Sequence, residues 1–264
     1  MGGTVPASDR FHYMLVGLIG AGNMARALAR GWGDPVLVSD GGSGRAAELA
    51  RELGGEAVDS NVEVADRADL VVLCHKPAQF VDVAQELRGH VKAIASVLGG
   101  VKSQELRQEY GVPVFRFMPN TPVEVRRGVL CYSPEGQLDE PLEAQVLELF
   151  GRLGTVVTVP ERLMDAANAV VGVGPAYHAL VVEAQVDAAV RHGVAPGLAS
   201  RMVAETMAGT AALLERRRYD TLAVRREVTS PGGTTARGLA ALDRCGLRSA
   251  FQAAFDSVIE WGRA

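Results

Sequence analysis

The apolar positions follow two regimes along the chain. Up to residue 159, short apolar runs rich in Val, Ile and Leu alternate with amphipathic stretches. Residues 14–19 form an apolar run that stops at a glycine, as a buried parallel strand does. Residues 23–32 then read as a helix, 35–39 as a second strand and 45–53 as a second helix. Further strands are predicted over residues 70–74, 93–98, 112–118, 129–132 and 155–159, with a helix over 138–153. Strands alternating with helices predict a mainly parallel sheet covered on both faces. After Pro160 these runs give way to alanine-rich, helix-favouring stretches. Residues 163–192, broken only at Gly172-Val173-Gly174-Pro175, and residues 198–218 read as long helices. Shorter helices follow over 222–228, 235–244 and 248–262. The pattern thus predicts a loose extension over residues 1–13, an α/β domain with a doubly wound sheet over 14–160, and an all-helical domain over 161–264.

Composition narrows the possible partners. The 264 residues are 48 % hydrophobic and 22 % charged, values of a packed globular protein rather than a disordered one. A net charge of −4 offers no basic face for nucleic acid. The densest basic cluster, Arg216-Arg217-Arg218, reads as a solvated helix end. No apolar run reaches the roughly 18–20 residues that span a bilayer, so no membrane partner is expected. The first residues lack the apolar core of a signal peptide. Cys74, Cys131 and Cys245 lie far apart, without metal-ligand spacing, and their odd number favours reduced thiols in a cytoplasm. No metal site is expected.

The chemistry enters at Gly20-Ala21-Gly22-Asn23-Met24-Ala25, a G-x-G-x-x-A string. Alone such a string is weak. Here it follows a strand and opens a helix, the setting of a Rossmann-type dinucleotide site. Gly20 permits the tight turn, Gly22 lets backbone approach a pyrophosphate, and Ala25 lets helix pack on strand. The helix start, with Asn23 and Met24, offers N–H groups to the phosphates. Asp40, at the end of the second strand, is placed to bind a ribose 2′-hydroxyl, which by itself favours NAD(H). Ser39, Ser43 and Arg45 are the residues that would hold a 2′-phosphate instead. Lys76 ends another strand on the ligand side of the sheet, next to His75, which reads as structural.

From Met118-Pro119-Asn120-Thr121-Pro122 onward the sequence resembles the pyrroline-5-carboxylate reductase family. Gly174-Pro175-Ala176-Tyr177, Glu183-Ala184, Asp187-Ala188-Ala189-Val190 and Thr229-Ser230-Pro231-Gly232-Gly233-Thr234-Thr235 follow in the family's order, as does the opening glycine string. The likeness runs over most of the chain. It implies an N-terminal Rossmann domain joined to a helical dimerisation domain, with active sites between one subunit's nucleotide domain and the helical dimer. The partner would be the chain itself, as a homodimer or larger homo-oligomer. The implied reaction is hydride transfer from NAD(P)H to the C=N bond of 1-pyrroline-5-carboxylate, giving L-proline, and the resemblance shifts the cofactor towards NADP(H). It also implies that Ser230, Gly232, Gly233, Thr234 and Thr235 bind the substrate, with the Thr235 hydroxyl on the ring nitrogen as the catalytic group. Asn61 would contact the adenine ribose or its phosphate, Lys76 the cofactor, and Asn120 its nicotinamide end. The bland reading of the loop is that Ser230 and Thr234 cap a helix.

Three departures qualify the likeness. Val171-Gly172-Val173-Gly174 stands where the family has S-G-S-G, so two hydroxyls are replaced by apolar groups. Val123-Glu124-Val125-Arg126-Arg127 stands where the family has small residues. Ala78 replaces a usual glutamine, with Gln79 next to it. A related imine or ketone reductase with another substrate, or a dinucleotide-binding regulatory protein without catalysis, are the alternatives these changes leave open.

Overall fold

The structure of the protein is a computed structural model that describes residues 14–134 and 139–261. The extension expected over residues 1–13 lies outside the described residues. The chain forms two compact units, one ending at Gly172 and the other beginning at Val173.

In the first unit, chain order runs β1 (Val16–Ile19), α1 (Asn23–Trp32), β2 (Leu37–Ser39), α2 (Arg45–Leu53), β3 (Glu56–Ala57), α3 (Asn61–Arg67), β4 (Leu70–Leu73) and α4 (Phe80–Leu87). It continues with β5 (Ile94–Ser96), α5 (Ser103–Tyr110), β6 (Val114–Pro119), β7 (Gly128–Ser133), α6 (Glu140–Gly151), β8 (Gly154–Thr158) and α7 (Met164–Val170). The strands make one sheet in the order β3-β2-β1-β4-β5-β6-β7-β8. Every pair is parallel except β6 and β7. The strand order reverses between β1 and β4, and such a switch point opens a crevice at the carboxyl ends of the strands. Ile19 is level with both Ser39 and Leu73, so three strands end together there.

Both faces of the sheet are covered, which is why its strands are continuous apolar runs. Alternate residues of β1 divide between the two layers. Leu18 packs with Leu28, Trp32, Phe117 and Phe150 on one side, and Ile19 with Val64, Leu73 and Leu87 on the other. The first layer is aromatic: the rings of Phe117 and Phe150 stack at 4.0 Å, and the buried Trp32 donates its indole N–H to the Leu149 carbonyl at 3.0 Å. Gly31 has a steric reason to lack a side chain. A Cβ there would lie 2.2 Å from the Val123 carbonyl oxygen, so the 3-10 turn Thr121–Val125 seats directly on α1. The divergent segment after Pro122 adds polar contacts to this seat. Glu124 pairs with Arg30 at 3.1 Å, and Arg126 donates to the Gly31 carbonyl at 2.7 Å, at the end of α1.

The short elements β3, α3, α4 and α5 are the ones that sequence periodicity does not predict. They span 2, 7, 8 and 8 residues, too few turns for an apolar stripe to repeat. The division into units also falls later than the change in composition at Pro160. The reason is packing: Met164 of α7 and Val171 are buried with Met118 and Cys131 of the sheet. Val171 therefore adds apolar contact where the family has a hydroxyl.

The second unit holds α8 (Gly174–Arg191), α9 (Pro196–Arg216), α10 (Thr221–Glu227), α11 (Thr234–Arg244) and α12 (Leu247–Trp261). Pro175 opens α8, where a missing N–H is harmless. The Tyr177 ring meets Phe251 and Phe255, each at 6.3 Å. Among the described residues of this unit only Gly174, Ala199 and Val224 are buried.

Candidate functional site

The crevice at the switch point is built around Gly20. Its N–H donates to the Ser39 carbonyl at 2.8 Å, and its φ of +102° lies where side-chain-bearing residues are strained. A Cβ there would also stand 2.9 Å from the His75 backbone nitrogen. Two residues later Gly22 forms the N-cap of α1 in extended conformation, with no side-chain cap. The volume that a Gly22 side chain would enter is open. Ala25 is fully buried against the sheet, so the helix start comes close to β1. The free N–H groups of a ten-residue helix thus meet a cleft of about 260 Å³. Backbone donors, a positive dipole end and no competing carboxylate cap fit a pyrophosphate.

At the far side of the cleft Asp40 has an internal role. Its Oδ1 accepts from the backbone N–H groups of Gly42 at 2.9 Å and Ser43 at 3.1 Å. Its Oδ2 accepts from the Ser43 hydroxyl at 2.7 Å and the Ala46 N–H at 2.8 Å. Burial alone would raise the Asp40 pKa, but the Ser43 hydroxyl and the Ala46 and Gly42 N–H groups outweigh it and hold the carboxyl below its usual range. Both oxygens are engaged in folding the β2–α2 loop, which passes through left-handed backbone at Gly41, Gly42 and Gly44. Ser43 and Arg45 line the same cleft. Ser39 is buried behind it and donates to the Asn61 carbonyl oxygen at 2.6 Å. Asn61, at the start of α3, lines the cleft and donates its amide to Glu86 of α4 at 2.7 Å.

The remaining edge is the turn after β4. Cys74 is inert as a nucleophile, since burial pushes its thiol up to about 12. Burial also lowers the His75 pKa, opposed by its contact with the Lys76 carbonyl at 2.9 Å, so the ring is neutral at pH 7. Lys76 lines the cleft, and its N–H donates to the Gln79 side chain at 3.3 Å. Gln79 lines the cleft too, one position after the glutamine of the family. Three further candidates stand elsewhere. Asn120 is buried, and its side-chain oxygen accepts from the Val129 N–H at 2.9 Å. Asn23 lines an adjoining cleft with Arg26 and Thr121. Met24 is half-buried against the core.

The glycine loop lies in the helical unit. Gly232 has φ +67°, the Gly233 N–H donates to the Ser230 carbonyl at 3.1 Å, and Gly233 is the N-cap of α11. That helix has no side-chain cap, so neither Ser230 nor Thr234 fills the capping role. The first-turn N–H groups of an eleven-residue helix are therefore free for an anion such as a carboxylate. Thr235 sits half-buried in that first turn.

Gly20, Gly22, Asp40, Asn61 and Lys76 thus line one cleft, with Ser39 behind it. Sequence reasoning noted Gln79 only as the neighbour of Ala78 and missed Val83 and Glu86. Gln79 and Val83 line the cleft, and Glu86 follows on the same face of α4. Their 4- and 3-residue spacing was the available signal.

Residues 161–263 match the family described as pyrroline-5-carboxylate reductase dimerisation. Residues 15–100 match the family described as NADP oxidoreductase, coenzyme F420-dependent. The pyrroline-5-carboxylate reductase of Synechocystis sp. is 34 % identical over 89 % of this chain and 92 % of its own. That of Mycobacterium tuberculosis is 35 % identical over 90 % and 92 %. Among solved structures, the 1-pyrroline-5-carboxylate reductase of Streptococcus pyogenes aligns with a TM-score of 0.87 at 29 % identity, covering 94 % of this chain and 98 % of that one. The pyrroline carboxylate reductase of Plasmodium falciparum with NADP bound aligns at 0.84 and 25 % identity, covering 95 % and 97 %.

Proposed function

The chain belongs to the pyrroline-5-carboxylate reductase family, and from that premise we propose how its residues divide the work of an NAD(P)H-dependent reductase that converts 1-pyrroline-5-carboxylate to L-proline. The reduced nicotinamide, when bound, supplies the hydride to the C=N carbon. The chain supplies binding and orientation. The first turn of α1, from Gly22 through Asn23 and Met24, binds the pyrophosphate through backbone N–H groups. Asn61 serves the adenine ribose or its phosphate, and Lys76 a cofactor oxygen. Asn120 holds the M-P-N-T-P turn by which the nicotinamide end is received. The first turn of α11, with Ser230, Gly232, Gly233 and Thr234, binds the substrate carboxylate. The Thr235 hydroxyl orients the ring nitrogen or relays a proton to it from solvent, taking up one proton as it passes one on; a protonated imine is the better electrophile. The observation that carries this reading is the pair of uncapped helix starts, α1 and α11, each following a glycine turn of the family's pattern.

For the cofactor, the proposal is NADP(H). The Asp40 oxygens are already occupied by four donors from the β2–α2 loop and the start of α2, while Ser43 and Arg45 line the cleft beside them. The test is oxidation of NADPH and, separately, NADH by the purified protein with 1-pyrroline-5-carboxylate, with proline quantified. We expect proline from both, and kcat/KM higher for NADPH by about tenfold, a difference of roughly 1.4 kcal/mol. A preference for NADH would overturn the cofactor assignment. Absence of proline with either would overturn the substrate.

The helical unit supports a homodimer or larger homo-oligomer. With so few of its described residues buried, those residues make no core of their own, while Leu180, Leu198, Met202 and Leu242 are exposed. A bundle that cannot cover its apolar residues alone is completed by another copy. The melting midpoint is then expected to rise with protein concentration, by mass action. A monomeric mass by sedimentation, with a midpoint independent of concentration, would contradict it. The three cysteines are free thiols, which supports a reducing cytoplasm as the working compartment.

A further inference from the structure

The amide of Asn61 has a fixed orientation, and the group that fixes it is on another helix. Glu86 is an exposed residue of α4, and its Oε2 stands 2.7 Å from the Asn61 Nδ2. An ionised carboxylate can only accept, so the amide nitrogen must face it. The Asn61 carbonyl oxygen then faces the buried Ser39, whose hydroxyl donates to it at 2.6 Å. The chain Ser39–Asn61–Glu86 links β2, α3 and α4 across the adenosine side of the cleft. Asn61 has two amide hydrogens, and Glu86 takes one. The carbonyl oxygen is turned toward Ser39, and the second amide hydrogen is what Asn61 can offer a ligand as a donor. A ribose hydroxyl oxygen or a phosphate oxygen can accept from it.

We propose that Glu86 is a positioning residue for the cofactor: it touches no ligand but holds Asn61 as a hydrogen-bond donor to the adenosine end of NADPH. The inference rests on the reading of Asn61 as a cofactor contact. Its free energy acts through a single oriented hydrogen bond. Without Glu86 the amide is free to rotate and present either edge.

The test is a double-mutant cycle on the purified full-length protein, titrated with NADPH in the absence of imine and followed by the fluorescence of the bound nucleotide. Glu86→Ala should raise Kd about three- to tenfold, the worth of one net hydrogen bond. Glu86→Gln keeps an acceptor oxygen and should stay within about twofold of the parent, a rescue that a role of the negative charge itself would not show. Asn61→Ala should weaken binding at least as much as Glu86→Ala. Adding Glu86→Ala to Asn61→Ala should change nothing more, because coupled residues are not additive. An equal penalty for Glu86→Ala in both backgrounds would overturn the inference, as would an unchanged Kd in Glu86→Ala when Asn61→Ala is weakened. An unchanged Kd in Asn61→Ala would instead remove the reading of Asn61 on which the inference stands.

Discussion

Replacing Thr235 by alanine is expected to lower kcat/KM for 1-pyrroline-5-carboxylate by about 10²-fold, the lower range for losing a positioned proton donor. NADPH binding should change by less than about twofold, since the residue lies on α11 and not among the helix-start donors of the nucleotide domain. The fold has no reason to suffer. Thr235 is inside the first turn of α11 and caps nothing, and alanine is the better helix former. Two further variants separate hydroxyl from shape. Thr235→Val keeps the branched outline without the hydroxyl and should be as slow as the alanine variant. Thr235→Ser keeps the hydroxyl and should recover most of the rate. Steady-state kinetics on the three variants, with cofactor titrations alongside, give the answer. Parent-like kinetics in Thr235→Ala would remove the hydroxyl from the mechanism.

The contrast between α11 and Asp40 shows where sequence stops being informative. Both glycine turns, Gly20 to Gly22 and Gly232-Gly233, are legible because they break apolar periodicity and are followed by a helix. Their conformations, with φ +102° at Gly20 and +67° at Gly232, are what the residue types demand. The bland alternative at the second turn, a side-chain cap, is decided only by geometry, and α11 has none. Asp40 was equally legible as an acid at the end of β2, yet its oxygens turn inward onto Gly42, Ser43 and Ala46. Nothing in an acidic residue's position says which way it faces when the next four residues include three glycines and a serine. Glu86 lies one step further from view. It acts on a residue of a different helix, and both helices are too short for periodicity to announce them. The parallel sheet was legible because its strands are buried on both faces. The one antiparallel pair, β6 with β7, was not, since the period of a strand does not encode its direction.

One charged residue inside an apolar strand was a signal that went unused. Arg116 belongs to β6, in a run otherwise made of Val, Phe, Met and Pro, and its side chain is only 3 % exposed. A buried guanidinium needs a carboxylate. The partner is Glu161, itself 15 % exposed, which ion-pairs with Arg116 and accepts from both the N–H and the hydroxyl of Ser103, each at 3.0 Å. Three elements, β6, the start of α5 and the 3-10 turn Glu161–Leu163, are tied at one carboxylate. The pair stands just before Pro119 and Asn120, so it also fixes the strand that carries the M-P-N-T-P turn.

Glu161→Ala leaves the Arg116 charge buried without its partner, and we expect it to destabilise the fold by about 3–5 kcal/mol. Replacing both partners, Arg116→Met with Glu161→Leu, should cost much less, because two apolar groups leave no charge unsatisfied. Urea unfolding at one fixed protein concentration would measure both. The acid limb of stability gives a second readout. Burial would raise the Glu161 pKa, but the Ser103 N–H and the Arg116 charge outweigh it and hold the pKa below the ordinary value. A depressed carboxylate contributes stability that is complete above its unfolded pKa, about 4.3, and lost as pH falls through the lower folded value. Between neutral pH and pH 3 the parent should therefore lose more stability than the double variant. A loss of less than about 1 kcal/mol in Glu161→Ala, the range of an exposed pair, would mean that water reaches this carboxylate and that β6 is held by its apolar contacts alone.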